Sequence, residues 1–206
     1  MAKRRERPYH HGDLRSALID GAAGLIADRG ERHFSLAELS RSLGVSAAAP
    51  YRHFADRDEL LVAVAVRALH AFAEGVTARS SGADPPAERL AAMAAAYVRF
   101  AAGQPALFGL VFSLGSEQKE RYPELRRAYE AVEAELEAAV AELCAGDPGG
   151  AKALAGAIEA TAHGYAALLT DGAHAPPPAG IERAASQAAK ATRALIQGRG
   201  ALGASG

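Results

Sequence analysis

The stretch SLAELSRSLGVSAAAPYRHFADRDELLVAV, residues 35–64, constrains this chain more tightly than any other, because it starts and stops short helices at close intervals. Ser35 is set to accept a hydrogen bond from the Glu38 backbone N–H, and Glu38 to reach back to the Ser35 N–H, while Phe34 and Leu39 can staple the turn across the cap. A helix is therefore expected to begin at Ser35. Leu36, Leu39 and Leu43 recur at helical spacing, and Gly44 reaches the left-handed conformation that ends a helix at little steric cost. Ser46 is a strong N-cap, so a second short helix, Ala47 to Phe54, is expected after a turn of about three residues. Two short helices joined this tightly make a helix-turn-helix.

At about 100° per residue, Pro50 and Phe54 share the buried side with the leucines, while Ala47, Ala48, Tyr51 and Arg52 fan across the opposite side. That fan has the chemistry of a DNA-reading surface. Small side chains at Ala47, Ala48 and Ala49 allow close approach to a major groove and offer methyl groups to thymine. Arg52 has the fork for guanine O6 and N7, and Tyr51 and His53 are donors for phosphates. Ser35 and Ser46, at the two helix starts, belong to the same DNA-facing set. Pro50 lacks an N–H and biases Ala49 away from the helical region, so a distorted first turn is expected. Asp56 caps a further helix, with Glu59 three residues on and Arg57 at its start. Backbone N–H groups and a guanidinium converge there as a phosphate site requires; the plainer alternative is that Asp56, Asp58 and Glu59 only complement the helix dipole.

The run SLAELSRSLGVSAAAPYRHFADRDELL resembles, without gaps, the DNA-binding domain of TetR/AcrR-type transcriptional regulators. The resemblance implies an all-α homodimer: an N-terminal helix-turn-helix domain of three helices, then a helical domain that binds a small molecule and dimerises. It also implies that Tyr51 and His53 stand at the phosphate-contact positions after the turn, and that Arg57 is the basic residue opening the fourth helix. The chain departs from some relatives at Ala37 and Ala47, where base-reading polar side chains occur. Specificity then leans on Arg52, thymine methyls and DNA shape.

Around this stretch, residues 1–12 carry Lys3, Arg4, Arg5 and Arg7 without apolar periodicity. They read as an arm for the adjacent minor groove, or as a basic tail that only aids solubility. Asp13 is expected to cap helix one, whose Leu14, Leu18, Ala22, Leu25 and Ile26 form one stripe ending before Gly30. The formal net charge is −1. The whole molecule is thus no basic coat for nucleic acid, and DNA binding has to come from a local patch. Neither a signal peptide nor a bilayer-length apolar run is visible, and Cys144, the single cysteine, forms no internal disulfide. These features suit a cytoplasmic protein without a membrane partner.

Residues 1–56 are accordingly read as the DNA-binding domain and 57–206 as the effector-binding and dimerisation domain. A long helix from about Arg57 to Arg79 carries Leu61, Val64, Ala65, Ala68, Phe72 and Val76 on one face. Asp84-Pro85-Pro86 starts another helix, and Gln104-Pro105 stops it and opens a short apolar one expected to be buried. The order YVRFAAGQPALFGLVFS, with His163-Gly164 further on, resembles the ligand-binding domain of the WHG-type subgroup of that family, although the expected tryptophan is absent from a chain that has none.

From about Arg121 to Leu143 a helix has Glu133, Glu135 and Glu137 on what reads as its solvated face. Two alanine-rich helices, about 151–171 and 180–197, are expected to form the dimer interface through Ala184, Ala185, Ala188, Ala189 and Ala191; the alternative is a helix pair within one chain. No residue spacing marks a catalytic or metal site, and no cofactor is expected. The partners expected are double-stranded operator DNA, palindromic because a two-fold dimer reads it, and a small, largely apolar effector. Its pocket is expected among Phe72, Met93, Tyr97, Phe108, Phe112, Tyr129 and Tyr165, with His163 as a polar anchor; each of these residues also has a plain core reading. Repression is the expected sign of regulation. The rival from another class is an enzyme or ligand carrier that kept the fold without DNA binding.

Overall fold

The computed structural model describes residues 11–77, 84–170 and 177–201, and every regular element among them is helical. The α-helices are α1 His11–Arg29, α2 Leu36–Leu43, α3 Arg57–Thr77, α4 Pro86–Gly103, α5 Pro105–Ser113, α6 Ser116–Arg121, α7 Pro123–Leu143, α8 Pro148–Thr170 and α9 Pro178–Gln197. Short 3-10 turns lie at Glu31–His33, Pro50–Arg52 and Arg199–Ala201. The chain divides into two compact units, Met1–Ala65 and Val66–Gly206, with the boundary inside α3. The basic arm at Lys3, Arg4, Arg5 and Arg7 lies outside the described residues.

In the first unit α1 buries Leu18, Ala22 and Ile26, α2 buries Leu36 and Leu39, and Phe54 and Leu60 close the same core. Each fully buried leucine contributes about 1.5–3 kcal/mol over an exposed one. α1 and α2 approach so closely that a Cβ on Gly21 would stand 2.8 Å from Leu39 Cδ1. α1 is already helical at His11, ahead of the cap expected at Asp13, and it ends before Gly30 as expected.

Both ends of α2 follow from its sequence. Ser35 Oγ accepts from the Glu38 N–H at 3.2 Å. At the other end Gly44 sits at φ 68°, with its N–H on the Arg41 carbonyl at 3.3 Å and the Val45 N–H on the Ser40 carbonyl at 3.0 Å. Those two bonds are a Schellman motif. The reciprocal half of the expected capping box is not made. Glu38 turns to Arg29 at 2.5 Å instead, a charge-assisted bond stronger than one to an amide.

The expected helix from Ala47 to Phe54 is not a regular α-helix; it is a turn running into the 3-10 segment Pro50–Arg52. Pro50 has no N–H for the Ser46 carbonyl, which accepts from the Ala49 N–H at 2.9 Å instead. The Ala49 carbonyl then takes the Arg52 N–H at 3.2 Å, so the tighter spacing propagates. Ala49 itself stays at φ −64°, ψ −43°, inside the region that the proline was expected to disfavour. Asp56 caps α3 by accepting the Glu59 N–H at 2.8 Å, and Glu59 accepts the Ala55 N–H at 2.5 Å.

In the second unit α4 is the central helix, with Leu90, Met93, Ala94, Val98 and Ala101 among its buried residues. Its alanines allow α8 and α9 to pack closely: Ala94, Ala95 and Val98 meet Ala162, Ala185 and Ala188 in one cluster. This corrects one expectation. Ala185 and Ala188 are fully buried within the chain, so they belong to an intramolecular helix pair. A second cluster joins Phe72, Leu90, Val140, Leu154 and Ile158. Arginines link the helices: Arg193 to Glu88 at 2.6 Å, Arg99 to Glu182 at 2.8 Å, and the buried Arg89 to Glu142 at 2.7 Å. No single helix among the described residues is long and apolar enough to cross a membrane; α4 and α5 pass that test only as a pair bent by 106°.

Candidate nucleic-acid interface and ligand cavity

The turn at residues 47–53 projects side chains because its other side is anchored. Pro50 and Phe54 are buried, and the Arg15 guanidinium covers the Phe54 ring at 5.1 Å. Ser46, Ala47, Ala48, Tyr51 and Arg52 are exposed as a contiguous set, Tyr51 at 59%, and His53 is half-buried. Ala49, expected beside them, is buried and offers no methyl to a groove. Ser35 is exposed but uses its hydroxyl as the α2 cap.

Arg57 has a different setting from the phosphate position that the resemblance implied. Its Nε donates to the Phe34 carbonyl at 3.3 Å and its Nη2 to the Glu31 carbonyl, with the guanidinium 5.7 Å from the centre of the Phe34 ring. These contacts tie the start of α3 to the connection between α1 and α2. A charged donor on backbone carbonyls contributes about 1.5–3 kcal/mol.

In the second unit two neighbouring cavities of about 270 and 220 Å³ share Phe72, Tyr97, Val132, Glu133 and Glu159 as walls. Met93, Leu136 and Ile158 extend the larger; Phe108, Phe112 and Tyr129 extend the smaller. Six of the expected pocket residues therefore converge. His163 lies beside them, its Nδ1 2.9 Å from the Tyr97 hydroxyl and its ring 5.4 Å from Phe112. Tyr165 lines neither cavity and packs on the alanine cluster between α4, α8 and α9. Phe112 was expected to be buried but is 50% exposed, its ring tilted against that of Phe108 with centroids 4.6 Å apart.

Burial, reinforced by Glu159, raises the Tyr97 hydroxyl well above its ordinary pKa; burial and Glu133 push Tyr129 up to about 12. Both are neutral hydrogen-bonding groups at physiological pH. Tyr129 donates to the Val111 carbonyl at 2.5 Å, fixing α7 to α5. The sequence reading missed Glu133, Glu137 and Glu159 as cavity residues. A signal for two of them was present, since Tyr129, Glu133 and Glu137 follow one another at four-residue spacing on α7 and so share a face. It also missed α6, whose Lys119 stands 3.6 Å from the Tyr129 ring centre.

A helix-turn-helix unit followed by an all-helical unit is the build of a class of DNA-binding transcriptional regulators. Residues 18–64 match the family model described as bacterial regulatory proteins of the tetR family, and residues 90–192 match the tetracyclin repressor-like C-terminal domain. The chain belongs to the TetR family of transcriptional regulators, proteins that bind DNA and are not enzymes.

Among curated relatives, the HTH-type transcriptional regulator BetI of Brucella anthropi is 31% identical over 119 residues, 56% of this chain and 60% of its own length. BetI of Rhizobium meliloti is 32% identical over 79 residues, 38% of this chain and 39% of that protein. The match thus spans less than two thirds of these relatives' own length. Among solved structures, a Rhodococcus sp. RHA1 protein of unknown function superposes with a TM-score of 0.75 at 31% identity, covering 92% of this chain and 98% of that one. A TetR-family regulator from Streptomyces coelicolor, at 19% identity and a TM-score of 0.68, covers 94% and 88% and shares the fold.

Proposed function

We propose that this regulator is a cytoplasmic repressor that binds a palindromic double-stranded operator as a homodimer and leaves it when a small, largely apolar effector enters the cavity of its second unit. The observation that carries the reading is the cavity itself: about 270 Å³ of mainly apolar wall in the same chain as an exposed, donor-bearing turn. In this reading residues 1–56 hold the DNA-binding function and 57–206 the effector-binding and dimerisation function. Tyr51 and His53 give affinity through phosphates; Arg52 and the methyls of Ala47 and Ala48 give preference. Ser35, Ser46 and the basic arm support the backbone contacts, and Arg57 acts by holding α3 in place.

Dimerisation within residues 151–197 uses the outer faces of α8 and α9, since their alanines at 185 and 188 are already occupied. Leu168, on α8 and 81% exposed, supports such a face. α3 is one continuous helix, with Leu60 in the core of the first unit and Phe72 on the wall of the cavity. An effector that favours a conformation with α3 displaced changes the spacing of the two recognition segments. Coupling of about 1–3 kcal/mol weakens operator binding about 5–150-fold, and operator DNA weakens effector binding by the same factor.

The test begins with selection of bound genomic fragments and footprinting on the recovered site. A symmetric footprint with half-sites about one helical turn apart, or a multiple of it, is expected. Binding of a single asymmetric half-site by a monomer refutes the dimer geometry. Failure to bind any duplex at low salt refutes the DNA-binding assignments altogether.

A further inference from the structure

We propose that the cleft between α3 and α4 is a second ligand site, apart from the effector cavity, and takes a small organic monocarboxylate with a flat apolar body. Arg99 holds the carboxylate, and the body lies against Phe100 in the open space beside Gly75.

The cleft measures about 200 Å³. Ala71, Phe72 and Gly75 of α3 form one wall, and Arg99 and Phe100 of α4, with Gln104 just past its end, form the other. The rings of Phe72 and Phe100 pack on each other with centroids 5.5 Å apart, and both are also walls of the smaller effector cavity, so this pair divides the two spaces. The cleft differs from that cavity in charge. Glu133 and Glu159 line the cavity, whereas among the described residues the cleft has one charged side chain, Arg99, and no carboxylate.

The Arg99 guanidinium has only one of its edges engaged. Glu182 of α9 accepts from Nε at 2.8 and 3.1 Å and from Nη2 at 2.8 Å, which occupies the side of the planar fork. Five N–H groups radiate from a guanidinium, so the end edge, made by Nη1 and the second proton of Nη2, is left without an acceptor among the described residues. That edge presents the parallel pair of N–H groups that a carboxylate accepts in a two-pronged bond. The Gln104 side-chain amide makes no hydrogen bond to the described residues and adds a neutral donor to the same lining.

The ligand's charge and shape follow from these walls. Glu182 is 61% exposed, so water and salt screen its repulsion of a second carboxylate on the same guanidinium. A dianion would need a second cation, which the lining does not offer among the described residues. A Cβ built on the exposed Gly75 meets nothing within 4 Å, and Ala71 is exposed beside it, so the cleft is open to a flat group that covers the two rings. A ligand seated there bridges α3 and α4.

Titration of the full-length, nitrogen-15-labelled protein with three probes tests the site, read from the backbone amide signals of Gly75 and Phe100. Phenylacetate is expected to bind at millimolar concentration. It should bind about tenfold tighter than phenylacetamide, which keeps the shape without the charge, and than acetate, which keeps the charge without the ring. Gly75→Leu fills the cleft from a helical position with free space around it, and should abolish the shifts while thermal stability holds. Arg99→Gln should bring the acid down to the level of the amide. Glu182→Gln removes the competing charge and should tighten phenylacetate about threefold, a gain that a purely structural Arg99–Glu182 pair does not predict.

Phenylacetamide or acetate binding as tightly as phenylacetate overturns the proposal. So does phenylacetate binding that Gly75→Leu leaves unchanged, which would place the ligand in another cavity, or a Glu182→Gln variant that shows no gain. Absence of binding by all three probes at millimolar concentration overturns it as well. Should Arg99→Gln fail to fold, the Gly75 and Glu182 variants still decide.

Discussion

Tyr97 on α4 and His163 on α8 meet hydroxyl to Nδ1 at 2.9 Å, at the point where the rings of Phe108 and Phe112 also converge. The hydroxyl donates when Nδ1 is bare and accepts when Nδ1 carries the proton. Since burial keeps Tyr97 protonated far above neutral pH, its hydroxyl is present for this contact across the physiological range. Tyr97→Phe keeps the ring and removes only this bond. It should lower stability by about 0.5–1.5 kcal/mol in chemical denaturation, leaving the aromatic packing intact. A loss above about 3 kcal/mol would show that the ring itself had shifted.

Arg57 and Arg52 should separate cleanly by assay. Arg57→Ala removes the guanidinium from the Glu31 and Phe34 carbonyls and should destabilise the protein by about 1.5–3 kcal/mol, read by urea unfolding. Arg52 is exposed, so Arg52→Ala should leave stability within about 0.5 kcal/mol. It should instead lose about 1–3 kcal/mol of operator binding, mainly at one base pair. Equal effects of both variants in both assays would contradict this division.

Gly44→Ala isolates a conformational effect. A Cβ at this position meets nothing within 4 Å, yet φ is 68°, so the change adds left-handed strain without a clash. A destabilisation of about 1–2 kcal/mol is expected, with DNA binding reduced only in proportion to unfolding. Unaltered thermal stability would mean that α2 ends differently in solution.

Acid should weaken the second unit in a predictable direction. Hydrogen bonding to Arg193 holds Glu88 below its ordinary pKa of 4.5, and Arg89 does the same for Glu142. A carboxyl depressed in the folded state contributes stability that is full above the unfolded pKa and is lost as pH falls through the folded value. The contribution is therefore present at neutral pH and decays below about pH 4.5. Arg193→Met should make the acid limb of melting temperature against pH shallower than in the parent. Superimposable acid limbs in the two proteins would rule out the linkage.

Much of this architecture was legible because its causes are local. Ser35, Gly44 and Asp56 act on N–H and carbonyl groups within a turn of themselves, so reading neighbours along the chain is enough to place the caps of α2 and α3. The buried stripe of α3, from Leu61 to Val76, follows from helical spacing in the same way. Pro50 marks the limit. Its missing N–H was visible, but the resulting shift from α to 3-10 spacing depends on which carbonyls the next residues take.

What the sequence by itself determined is therefore the place and ends of most helices, their buried stripes, and the exposed donors at Tyr51 and Arg52. Only the tertiary structure decided which faces meet. It put Ala185 and Ala188 against α4, turned Arg57 onto carbonyls far back in the chain, and brought Glu159 of α8 to the same walls as Glu133 of α7. Caps and helical hydrogen bonds act between residues a few positions apart, so sequence order encodes them directly. Contacts between helices depend on how whole faces pack together, and a solvated glutamate and a cavity glutamate look the same until a second helix is set beside the first.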